Sequence, residues 1–245
     1  MAATVDEVTA KAQTLEIEPK TGPTVVQAEA VGTESKNDTK LKGRNAQKEE
    51  VEPKTGVSFP VQLDDGKQLS TVGVRKKSIL GITIKVYGFG LYTDNEAMKH
   101  LMKSKIGKAP AGKATKEMYQ LAIDSDVEIM VRLVIVFPGL TMNIVRKSFD
   151  ENLGASIKKI TGQKNEELLK KIMGQATDNI KLPAGSVIEI TRLPGYTLQT
   201  KVRDEVVSKV DSELLCRAYI NMYLGDDVLD NEAKERFGKF MLSLF

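Results

Sequence analysis

Arg75 and Tyr87, twelve residues apart, are the two side chains in this sequence best suited to hold an anion together. A guanidinium is permanently charged and grips a carboxylate through two parallel N–H···O bonds, and a phenol adds a further donor. Both lie in the run Gly73–Tyr92, where Gly81 marks a reversal and Gly88, Phe89, Gly90 and Leu91 give Tyr87 small or apolar neighbours. Such a pair can anchor one anionic group inside an otherwise apolar space. Taken singly, Arg75 reads as a solvated strand-end charge, and Gly88 with Gly90 as a flat patch that a helix or a ligand can approach closely.

Other chemistries lack their residues. A single Cys216 makes no disulfide within the chain, and with a single His100 it makes no zinc site of Cys and His ligands. His100 belongs to the amphipathic stretch Glu96–Lys103, where a solvated histidine is the ordinary outcome, and Cys216 follows Leu214 and Leu215 as a small buried hydrophobe. Gly73–Ser78 lacks the Gly-x-x-x-x-Gly-Lys-Ser/Thr pattern of a phosphate loop, and Gly81, Gly88 and Gly90 do not form Gly-x-Gly-x-x-Gly at a strand-to-helix junction. No cofactor or metal is expected. Arg75, Lys76 and Lys77 form only a short basic turn, and a net charge of +3 with no Trp offers no dedicated nucleic-acid surface.

The 245 residues divide unevenly in character. Residues 1–52 carry no aromatic side chain and a net charge of −3, leaving +6 for the remainder. A segment so poor in large apolar groups cannot offset its ordering entropy, so residues 1–51 are expected to be a disordered tail and residues 52–245 one domain. The pentapeptide Glu18–Gly22 recurs as Glu52–Gly56, and the second copy marks the start of the domain. No run approaches the roughly 18 apolar residues of a membrane span, and no apolar segment at the N-terminus resembles a signal peptide. Asp6, Glu7, Glu16 and Glu18 also make the start of the chain unlike a transit peptide, which favours the cytosol.

The elements that must position Arg75 and Tyr87 follow from periodicity. Strict alternation over Ile82–Tyr92 puts Thr83, Lys85, Tyr87, Phe89 and Leu91 on one face. Short helices are expected near 95–103 and 115–124, then a long strand over Asp126–Phe137, rich in β-branched residues and stopped by Pro138-Gly139. Thr141 caps a helix running to about Ile160, with Val145, Phe149, Leu153 and Ile157 along one stripe and Asn152 beside it. A second helix spans about 165–177, strands cover 185–193 and 196–202 around a Pro194-Gly195 turn, and helices cover 211–224 and 230–245. Without βαβ alternation this is an α+β arrangement, a mainly antiparallel sheet with helices on one face.

Gly73-Val74-Arg75, the Gly81 reversal, Val86–Asp94, the Val131–Asn152 block, Pro183–Thr191 and Leu214–Gly225 together resemble the chalcone isomerase superfamily across about residues 52–245. The resemblance implies an open-faced sandwich, a large antiparallel sheet packed against a layer of helices. It has two branches. The enzymes that close chalcones to flavanones are similar at Arg75, Asn152 and Thr191, but they place a threonine where this chain has Tyr87, and their water-ordering tyrosine falls at Ile144 or Val145. An aliphatic side chain there neither donates a hydrogen bond nor holds a water.

The plant fatty-acid-binding branch looks closer, through Glu52–Gly56, Arg75–Ser78, Tyr87–Gly90 and Leu214–Arg217. It implies a non-catalytic protein whose Arg75 and Tyr87 hold the carboxylate of a free fatty acid, with Phe89, Leu133, Ile135, Val145, Phe149, Asn152 and Thr191 lining the pocket. It also implies the chloroplast stroma for several members, against the cytosolic reading of the N-terminus. The alternatives are a chalcone-flavanone isomerase and a non-catalytic partner protein that binds polyphenols.

Overall fold

The computed structural model describes residues 48–79, 81–163, 165–171 and 181–245. The first half runs β1 (Glu49–Val51), β2 (Ser58–Pro60), β3 (Gln68–Ile79), β4 (Ile82–Thr93), α1 (Asn95–Lys105), α2 (Lys116–Asp124), β5 (Ile129–Ile135) and β6 (Leu140–Thr141). There follow α3 (Met142–Thr161), α4 (Glu166–Lys171), β7 (Lys181–Leu182), β8 (Val187–Leu193), β9 (Thr197–Val202), β10 (Glu205–Asp211), α5 (Glu213–Leu224) and α6 (Asn231–Ser243). Six strands form one sheet in the order β10-β9-β8-β5-β4-β3, with every neighbouring pair antiparallel. This is the α+β architecture that the missing βαβ alternation implies.

Alternation along the central strands decides which face is the core. Tyr87, Phe89 and Leu91 of β4, Val131, Leu133 and Ile135 of β5, and Ile188 and Ile190 of β8 are all buried in one cluster with the apolar stripes of the helices. Each long helix begins on a side-chain cap: Asp94, Thr115, Thr141, Ser212 and Asp230 each accept a backbone N–H three residues on. Gly162, at φ 78, ends α3 in the left-handed conformation that glycine adopts without strain.

Asp230 does more than cap α6. Its Oδ1 accepts from Ala233 N at 3.1 Å and its Oδ2 from Val74 N at 3.0 Å, while Arg236 donates to Val72 O at 2.6 Å. The outer edge of β3 is thereby closed by a helix, which removes a strand edge that would otherwise template pairing with another chain. Gly73 permits the approach, since a Cβ there would stand 2.4 Å from Phe89 Cζ and 2.8 Å from Ala233 Cβ.

Two regions differ from expectation, and a third is described only in part. Glu49–Val51, counted with the tail on composition, pairs with Ser58–Pro60, so the folded body includes residues before 52; residues 1–47 lie outside the described residues. The carboxylate of Glu52, 1% exposed, accepts from Thr55 N and Thr55 Oγ1, both at 2.7 Å, and makes the second pentapeptide a closed turn. Next, β10 forms where no strand is expected, through a two-residue reversal with positive φ at Arg203 (52) and Asp204 (67). That turn ordinarily draws Asn-Gly, so Arg-Asp gives no signal. Asp211 ends β10 instead of starting a helix. Finally, the helix expected over 165–177 is described only to Lys171, and its remaining residues lie outside the described residues.

Gly88 and Gly90 are indeed closely approached, by a neighbouring segment of chain and not by a helix. Their outward side meets Thr55, Val57 and Phe59 of the segment running into β2. Among the described residues no helix is long and apolar enough to cross a membrane, and no group of three or more His, Cys, Asp or Glu is placed to hold a metal ion.

Candidate functional site

Arg75 and Tyr87 are directly opposite one another in the β3–β4 pair. The register that brings them together contains a bulge: Arg75 faces Tyr87 but Lys76 faces Lys85, so Val86 is the extra residue. The carbonyl of Val86 is held by Val136 N at 3.0 Å and Phe137 N at 3.1 Å, which fixes the bulge against the loop after β5. Strict alternation therefore fails at this point. Lys85 turns to the outer face, where its ammonium donates to Lys54 O, and Val86 packs against the core.

The helices complete the surroundings. From α3, Asn152 Oδ1 accepts from Arg75 Nη2 at 3.0 Å, and its Nδ2 donates to Ser148 O at 2.5 Å, so the amide is oriented before it meets the guanidinium. Phe149, one turn earlier on α3, stacks on Tyr219 of α5 with centroids 6.1 Å apart. Tyr219 meets Tyr223 edge to face at 5.5 Å, and Tyr223 meets Phe89 of the sheet at 5.1 Å. Sheet and helices are thus joined by a continuous aromatic wall beside the Arg75–Tyr87 rung.

Tyr87 is 8% exposed, and burial raises its pKa against the opposing pull of the Arg75 charge. Burial pushes Tyr219 and Tyr223 well above the usual phenol range, so all three stay neutral donors at ordinary pH. Tyr219 and Tyr223 lie near enough to each other and to Tyr87 to perturb one another, yet neither hydroxyl makes a hydrogen bond of normal geometry.

Of the residues expected at the site, Arg75, Tyr87, Asn152, Phe89 and Phe149 come together through these contacts. Ile135 lies opposite Tyr87 and Leu133 opposite Phe89 on the same core face, and Val145 is buried one helical turn before Phe149. Thr191 does not join them. Ile190 and Arg192 on either side point into the core, so Thr191 faces the other side of the sheet, where it lines an open groove of about 330 Å³ with Lys67, Glu128, Arg132 and Glu189. Arg192 is fully buried and donates to the carbonyls of Ala122, Ile123 and Val127, tying the end of α2 to the sheet. The positions matching the isomerase tyrosine are aliphatic here, Ile144 43% exposed and Val145 buried. Tyr219 and Tyr223 were missed by sequence reasoning; their four-residue spacing on one face of an amphipathic helix was the available signal.

Chalcone isomerase-like protein 1 of Humulus lupulus is 56% identical over 213 residues, spanning 84% of this chain and 99% of that protein. The chain belongs to the chalcone isomerase-like family. Fatty-acid-binding protein 1 of Arabidopsis thaliana is 38% identical to this chalcone isomerase-like chain over 190 residues, 76% of the chain and 68% of the relative. The crystal structure of an Arabidopsis thaliana fatty-acid-binding protein superposes with a TM-score of 0.75 at 37% identity, covering 80% of this chain and 98% of that one. No family model matches the sequence. At that TM-score and coverage the six-stranded sheet and its helical layer are the chalcone isomerase-like fold.

Proposed function

We propose that this chalcone isomerase-like protein binds free fatty acids without chemical conversion, in a cleft between sheet and helices, with Arg75 and Tyr87 holding the carboxylate. The observation that carries the reading is the cross-strand rung itself, a guanidinium and a buried phenol side by side at the edge of an apolar, aromatic-lined layer. A hydrogen bond to a charged group contributes about 1.5–3 kcal/mol net, and each buried methylene about 0.8 kcal/mol. A tail of a dozen carbons therefore supplies most of the affinity while Arg75 and Tyr87 set orientation. Phe89, Leu133, Ile135, Val145 and Phe149 line the tail, and Asn152 orients Arg75.

The likeness to a fatty-acid-binding protein in both sequence and structure supports the ligand class, and the aliphatic Ile144 and Val145 support a binding role over catalysis. The test is lipid extraction and mass spectrometry on purified wild type, Arg75→Ala and Tyr87→Phe. Occupancy is expected to fall at least tenfold in Arg75→Ala and less in Tyr87→Phe; equal occupancy in all three sinks the assignment. A second reading, a polyphenol ligand, is favoured by the aromatic wall of Phe89, Tyr223, Tyr219 and Phe149, which can stack a flat ring. Loss of chalcone absorbance that requires Arg75 would replace binding with isomerisation. The fatty-acid reading places the protein in plant fatty-acid metabolism, and a fluorescent fusion of residues 1–55 distinguishes stroma from cytosol.

A further inference from the structure

Two buried hydroxyls beside the Arg75–Tyr87 rung lack a well-formed hydrogen bond. Tyr219 is 0% exposed and Tyr223 is 3% exposed, and neither hydroxyl makes a hydrogen bond of normal geometry, though each lies close to its neighbour in the group Tyr219, Tyr223 and Tyr87. Buried polar atoms in folded proteins are almost always satisfied, so two together, on successive turns of α5, need a reason. Their rings are pinned by Phe149 on one side and Phe89 on the other, which prevents either phenol from swinging out to solvent. The hydroxyls form a series from Tyr219 through Tyr223 to Tyr87, and Tyr87 adjoins Arg75.

We propose that Tyr223 is a direct ligand of the bound head group and that Tyr219 supports it, so that these two α5 phenols make the site select free acids over esters and alcohols. The inference rests on the fatty-acid reading above. A carboxylate offers about four acceptor positions on its two oxygens. The guanidinium fork of Arg75 takes two, Tyr87 one and Tyr223 the last, and the oxygen of Tyr223 then serves as acceptor for Tyr219. A methyl ester or an alcohol has neither the charge nor the acceptor positions to satisfy this set, and leaves a phenol unpaired.

Isothermal titration of the full chain with dodecanoate and with methyl dodecanoate tests the proposal, alongside thermal melting without ligand. Tyr223→Phe is expected to weaken dodecanoate binding about tenfold or more, the loss of one hydrogen bond to a charged group, and to leave the ester within about twofold. Tyr219→Phe should show a smaller loss in the same direction. The unliganded melting temperature of both variants should be unchanged or higher, because each removes a buried hydroxyl that makes no well-formed hydrogen bond. If both variants bind dodecanoate as wild type does while Arg75→Ala loses it, the tyrosine assignment is overturned and the fatty-acid reading stands. Equal loss of acid and ester also overturns it, since that marks a packing role. A wild type that takes up no dodecanoate overturns both, and the wild-type isotherm alone tells that failure apart.

Discussion

Burial holds Tyr87 neutral, and the Arg75 guanidinium across the strand pair pulls the other way. Neither residue could be ranked from composition, since an arginine at a turn is ordinarily a solvated charge. The glycines around the pair point by themselves to close packing, and it is the family resemblance that singles out Arg75 and Tyr87. Thr191 is the counter-example, because its side is set by Ile190 and Arg192 and only the outward groove receives it. Thr191→Val should accordingly leave fatty-acid affinity unchanged within about twofold while altering only that outer groove, as titration will show. Tyr219 and Tyr223 were hidden for a different reason: a tyrosine on an amphipathic helix reads as core, and only the structure reveals that its hydroxyl makes no hydrogen bond of normal geometry.

At the scale of elements, β3, β4, β5, β8 and β9 and the capped helices were readable because alternation, caps and Gly-Pro punctuation agreed with one another. The missing strand β10 turns on Arg203 and Asp204, whose positive φ no ordinary turn signal announces. The contact between β3 and α6 is the most demanding fit. Gly73 leaves room for the edge of the Phe89 ring and for Ala233, both buried, so a methyl at position 73 has no flexible neighbour to displace. Gly73→Ala should destabilise the fold by about 1–3 kcal/mol, the usual cost of overpacking, seen as a lower urea midpoint with an unchanged slope.

For the molecule as a whole, the buried phenols and thiol tie stability to alkaline pH. Burial pushes the Cys216 thiol up to about 12, and Tyr87, Tyr219 and Tyr223 are all raised. In each case the folded state keeps a proton that the unfolded chain releases, so stability is full below the unfolded pKa and falls as pH rises above it. The decline should begin near about pH 9 with Cys216 and steepen above about pH 10 as the phenols join, at about 1.4 kcal/mol per pH unit for each group. Denaturation midpoints from pH 7 to 11 check this, and Cys216→Ala should remove the first part of the fall. The same burial predicts that thiol reagents label Cys216 only on unfolding.

The bulge at Val86 has a bearing on how this site can be recognised elsewhere. Because Val86 has no residue opposite it, a chain without it would still set Arg75 against Tyr87, with Lys76 against Lys85 one rung nearer the turn. The number of residues between Arg75 and Tyr87 is therefore a poor ruler for the rung they share. Counting rungs from the Thr71–Leu91 pair, past a second irregularity at Ser70, identifies the partners whether or not the loop side has gained or lost a residue.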